Sequence, residues 1–75
     1  MKLLAKIPLD KIEDDIKYLI IEFDEYNTKG YFLFFHKSLN VPCEWDLWFK
    51  DINDAKRQAT FNYDLAPEDW IILEL

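Results

Sequence analysis

Cys43 and His36 are the only thiol and the only imidazole of this chain, and they stand seven positions apart. Together they could form a nucleophile and its general base. That chemistry also needs a third group to orient the base and a turn of amides to hold an oxyanion. No residue at a recognisable spacing supplies the first. The single glycine, Gly30, leaves no glycine-rich turn for the second. Both residues are therefore read as structural, and no catalytic residue is assigned. The run Asp10, Glu13, Asp14, Asp15 concentrates carboxylates but lacks the alternating ligands, turn glycine and closing glutamate of a calcium loop. Cys43 and His36 cannot complete a four-ligand zinc site by themselves. No metal and no cofactor are expected.

The aromatic residues carry more information. They make up 17% of the 75 residues and gather in Tyr31-Phe32-Leu33-Phe34-Phe35 and in Trp45-x-x-Trp48-Phe49. Aromatic strands of this kind stack bases in RNA-binding sheets, but such sheets also need a basic surround. Here only Lys29 and Lys37 flank the first run, and fifteen acids against nine bases leave a net charge of −6. That field repels phosphate backbones, so nucleic acid is not expected as a ligand. It favours a basic partner instead.

The elements that must position these residues follow from periodicity. Lys2–Ile7 predicts a first strand, placed at a sheet edge because Pro8 cannot donate to a ladder. Leu9–Ile16 permits a helical turn behind Pro8 or a charged loop. In Lys17–Asp24, Leu19, Ile21 and Phe23 alternate with Tyr18, Ile20 and Glu22. A polar loop ending at Gly30 signals a hairpin. Tyr31–Lys37, apolar on both faces, predicts a central strand that is buried or sandwiched. After a loop through Asn40 and Pro42, Trp45–Lys50 alternates again. Asp51 is a good helix N-cap, and Ile52, Ala55, Ala59 and Tyr63 make the inward stripe of a helix reaching about Tyr63. Pro67-Glu68-Asp69 turns the chain into a last strand, Trp70–Leu75, with Ile71, Leu73 and Leu75 inward. The order is β-β-β-β-α-β, or β-β-β-α-β if the N-terminus is irregular. The fold class is α+β, a mainly antiparallel sheet of four or five strands with one helix packed on one face. Its length makes it a single domain, residues 1–75.

The segment from Trp45 to Tyr63, followed by Pro67-Glu68-Asp69-Trp70, resembles a group of small bacterial proteins of unknown function. The shared pattern is a Trp-bearing strand, an Ala-x-x-x-Ala helix ending in two aromatics, and a turn into a Trp strand. It covers about a third of the chain. The resemblance departs at Asp64, where those sequences carry the glycine that suits a left-handed helix cap. It implies the fold, and by architecture an association with immunity proteins or inhibitors.

If one face of the sheet lies under the helix, the far face collects Tyr18, Ile20, Trp48, Trp70 and Ile72 among Glu22, Asp46, Lys50 and Glu74. Aromatic anchors ringed by charges are the composition of a binding surface. Phe61 lies roughly 200° from Ala59 around the helix and so also points away from the core stripe. These residues predict a non-enzymatic protein-interaction module that dimerises or holds a basic protein partner. The alternative is an acidic mimic of nucleic acid, which requires its carboxylates on one surface. The N-terminal stretch is broken by Lys6 and Pro8, so no signal peptide is expected. No window is apolar enough for a membrane span. A lone cysteine fits a reducing compartment, which predicts a cytoplasmic location.

Overall fold

A computed structural model describes residues 1–74 as five strands, one α-helix and two short 3-10 turns. The strands are β1 (Lys2–Lys6), β2 (Tyr18–Phe23), β3 (Tyr31–His36), β4 (Trp45–Phe49) and β5 (Ile71–Glu74), and the helix is α1 (Ile52–Tyr63). All neighbours pair antiparallel in the spatial order β4-β3-β2-β1-β5, and α1 packs on one face. The expected α+β class is the class found. The expected inward place of Leu75 lies outside the described residues.

Two strand positions differ from expectation. β1 is not an edge strand: it sits between β2 and β5. Pro8 stands two residues beyond its end and so withholds no ladder donor. The middle strand of the sheet is β2, with β3 next to it. In β2 and β3, Leu19, Ile21, Leu33 and Phe35 point to the helix and are fully buried. Ala55 and Ala59 of α1 are buried opposite them. Their small side chains let the helix backbone approach a sheet already filled with large residues.

The caps follow local chemistry. The Asp51 carboxylate accepts from the amide of Asn53 at 2.7 Å and starts the helix. Asp64 closes it in the left-handed conformation (φ 57°), its amide donating to the Thr60 carbonyl. Aspartate thus fills the cap position for which glycine is the usual choice, as its short polar side chain allows.

Leu9–Ile16 resolves as a 3-10 turn over Leu9–Lys11 followed by a tight turn at Glu13–Ile16. Asp14 and Asp15 both have positive φ, and the amide of Ile16 donates to the Glu13 carbonyl at 2.9 Å. Two central residues with positive φ make a primed turn, a conformation Asp tolerates better than most residues. The turn swings Ile16 into the core, while Lys11 reaches Asp64 at the helix end. This segment therefore covers the helix side of the sheet.

Tyr63 sits in that corner, almost fully buried. Burial raises its phenol above the ordinary value of about 10, and the nearby carboxylates of Glu13 and Asp14 raise it further. A folded-state pKa above the unfolded one stabilises the fold below the unfolded value, and that contribution is lost as pH rises through the folded value. The urea midpoint should therefore fall above about pH 10. Tyr63→Phe should flatten the fall, and equal alkaline slopes in the two proteins would refute this account.

Candidate binding face

With Leu9–Ile16 on the helix side, the opposite face is bordered by Met1 and the 24–28 loop at one end and by Cys43 beside Phe34. Strand register builds that face as a grid. Lys2, Glu22, Phe32 and Trp48 form one row across β1–β4, Leu4, Ile20, Phe34 and Asp46 the next, and Lys6, Tyr18 and His36 the third. Leu4, Tyr18, Ile20, Phe32 and Phe34 are half-buried by one another, and Trp48 is 45% exposed. Phe32 and Phe34 lie in stacked orientation, with ring centroids 5.7 Å apart.

Trp48 does not hang free. Its indole N–H donates to the Thr28 hydroxyl oxygen at 2.8 Å, and that hydroxyl donates to the Asp24 carboxylate at 3.0 Å. The amide of Gly30 also donates to the Thr28 oxygen, at 3.2 Å. The Thr28 amide holds the Asp24 carboxyl below its ordinary value against a smaller opposing effect of desolvation, and the Thr28 hydroxyl adds to the lowering. The ring lies directly on Gly30, where a Cβ would overlap its atoms. Gly30 is thus needed for close approach by Trp48. The residue of this turn with positive φ is its neighbour Lys29. An aromatic side chain held this way is pre-organised and gives up little freedom when a partner covers it.

Of the residues predicted for this face, Tyr18, Ile20 and Trp48 are brought together on it. Two are not, and each has a physical reason. Ile72 pairs with Leu3, a core residue, and so shares the helix side; Ile71 pairs with Leu4 on the far face instead. The pairing shifts between Ile72 and Glu74, so Leu73 is an extra residue that inverts the alternation expected for this strand. Trp70 precedes β5 and packs against the core from the helix side, beside Lys56, Thr60 and Pro67. Phe61, expected to point away from the core stripe, does so: it is 85% exposed on the outer surface of α1, on the helix side and apart from this face. Leu4, Phe32 and Phe34 were missed. The signal that could have found them is register: with Asp24 paired to Gly30 across the turn, the even-numbered residues of β3 share the face of Tyr18 and Ile20, and Leu4 pairs with Ile20.

The charges of the face are mixed: Lys2 lies 3.9 Å from the Glu22 carboxylate in the same row. A groove of about 600 Å³ at the hairpin end is lined by Glu22, Asp24 and Glu25 beside Phe32 and Phe34. A smaller one beside it, about 280 Å³, is lined by Lys2, Glu22, Phe34, His36 and Cys43, so Glu22 and Phe34 border both. The Nδ1 of His36 lies 3.3 Å from the Val41 carbonyl, a hydrogen bond that turns this nitrogen back onto its own loop. Among the described residues, no three or more His, Cys, Asp or Glu side chains cluster as a metal site requires. Nor is any described helix long and apolar enough to cross a membrane.

Comparison with protein-family models, with curated proteins and with solved structures finds no match for this chain.

Proposed function

We propose that this chain is a non-enzymatic protein-binding module whose ligand surface is the far face of the sheet. The observation that supports it is a partly exposed aromatic and aliphatic patch, Leu4, Tyr18, Ile20, Phe32, Phe34 and Trp48, whose most exposed ring is pinned in place. Large apolar patches rimmed by polar residues on a single domain mark interaction sites. The groove at the hairpin end sets the kind of partner. Glu22 is already paired with Lys2, and the remaining carboxylates, Asp24 and Glu25, beside two phenyl faces suit a lysine or arginine side chain, which gains both an ion pair and a cation–π contact. The net charge of −6 speeds the approach of such a partner. An immunity or inhibitor role, in the cytoplasm, is the sharpest form of this reading and rests on the architectural resemblance. A nucleic-acid mimic is the weaker one, because Lys2, Lys6 and His36 interrupt the carboxylates of this face.

Affinity capture from host-cell lysate tests the proposal with three baits. A partner held by the wild type should be lost with Ile20→Ser/Phe34→Ser and kept with Phe61→Ser, on the opposite side of the molecule. Truncating a central aromatic anchor typically costs about 2 kcal/mol or more, roughly thirtyfold in Kd. A partner retained by the double variant would refute this use of the face.

A further inference from the structure

The two edges of the sheet are built differently. β5 is four residues long and carries a bulge, one of the devices by which natural sheets prevent further pairing. β4, Trp45-Asp46-Leu47-Trp48-Phe49, pairs in simple register with β3 from Trp45 to Phe49 and has no proline and no lysine. Its open side follows from the hairpin. The Asp24 amide donates to the Gly30 carbonyl in continuation of the β2–β3 register, so even-numbered residues of β3 bond to β2 and odd-numbered ones to β4. In β4, accordingly, Trp45, Leu47 and Phe49 bond inward, while Asp46 and Trp48 direct their amides and carbonyls to the open edge. Trp45 and Leu47, on the helix side, remain 42% and 39% exposed.

We infer that β4 pairs antiparallel with β4 of a second copy of this chain, about a two-fold axis at Leu47, to make one continuous sheet. In that register Asp46 and Trp48 of one protomer exchange main-chain hydrogen bonds with Trp48 and Asp46 of its partner. Leu47 meets its own copy and Trp45 meets Phe49, which covers the helix-side surface that α1 leaves open. Glu44 and Lys50, at opposite ends of the segment, come together as two ion pairs of opposite charge. The Glu44 amide already donates to the Phe35 carbonyl, so these end contacts are between side chains. An axis at Asp46 would oppose two carboxylates and bring Pro42 into the ladder. An axis at Trp48 would leave Trp45 beyond the ladder and run Glu44 into the start of α1. Self-pairing about Leu47 opposes no like charges. The inference is separate from the far-face reading: the one residue they share, Trp48, enters this pairing through its main chain and the far face through its ring.

Absolute mass by light scattering after size exclusion, over a range of concentrations, tests it. The wild type is expected at about 18 kDa, twice the 9.1 kDa chain. Leu47→Lys, which opposes two ammonium groups on the axis, and Asp46→Pro, which removes an outward donor without touching the bonds to β3, should each run at 9.1 kDa with an unchanged far-UV CD spectrum. Lys50→Glu should shift the mass toward monomer, and Glu44→Lys/Lys50→Glu should restore the dimer. Phe34→Ser should leave it intact. A wild type of 9.1 kDa at every concentration overturns the inference. So does a dimer that survives Leu47→Lys and Asp46→Pro, one that Phe34→Ser abolishes, or a charge exchange that fails to restore it.

Discussion

Phe35→Ala is expected to cost about 3–5 kcal/mol of stability, and Phe34→Ala, one residue away, about 1 kcal/mol. The contrast arises because β3 is apolar on both faces while only one face is covered. Phe35 is fully buried; its ring stacks on Trp45 with centroids 5.1 Å apart and meets Tyr63 at 6.3 Å. Truncation there leaves a cavity under α1 and removes the surface on which Trp45 rests. A domain of this length is stable by only about 4–11 kcal/mol, so the loss takes about a quarter of that or more. Phe34 packs against Phe32 on an open face and can be removed with local relaxation. Urea titrations followed by far-UV CD, at one low protein concentration so that association does not enter, should show a large fall in midpoint for Phe35→Ala alone. Partner capture should show the reverse order. Equal losses of stability would mean that the far face is covered in solution.

That contrast also marks where the residues alone stop being informative. The helix was legible because its cap, its small inward residues and its period all agree: Asp51, Ile52, Ala55, Ala59 and Tyr63 occupy the places their spacing predicts. The alternation of β2 was legible because one of its faces carries Tyr18 and Glu22. β3 has no polar residue to mark a face until His36, so its side chains could be assigned only through the pairing with β2. β5 misled for a different reason. A single inserted residue, Leu73, reverses the facing of Ile72, and no local composition announces a bulge made of aliphatic side chains. Leu9–Ile16 stayed ambiguous because its structure depends on Asp14 and Asp15 in a conformation that aspartate merely tolerates. The candidate face was therefore half legible: Tyr18, Ile20 and Trp48 from alternation, Leu4, Phe32 and Phe34 only from register.

Gly30→Ala is expected to destabilise the fold by about 2–3 kcal/mol and to lower Tm by roughly 10 °C or more. The usual effect of this substitution has the opposite sign. Where the backbone accepts it, alanine for glycine stabilises by about 0.4–1 kcal/mol through the unfolded chain. Gly30 does not have positive φ, so its backbone raises no objection. The cost comes wholly from Trp48, whose indole occupies the space of the added methyl group. Moving that ring aside also breaks its bond to Thr28 and loosens the turn that Thr28 and Asp24 hold. The test is a double-mutant cycle. On a Trp48→Ala background the clash is absent, so Gly30→Ala should become neutral or stabilising, with a coupling of about 2 kcal/mol between the two sites. Near-UV CD should show the altered tryptophan environment in Gly30→Ala alone. A harmless Gly30→Ala in the wild type would mean that Trp48 is not held against the turn, and the far face would lose its one pre-organised anchor.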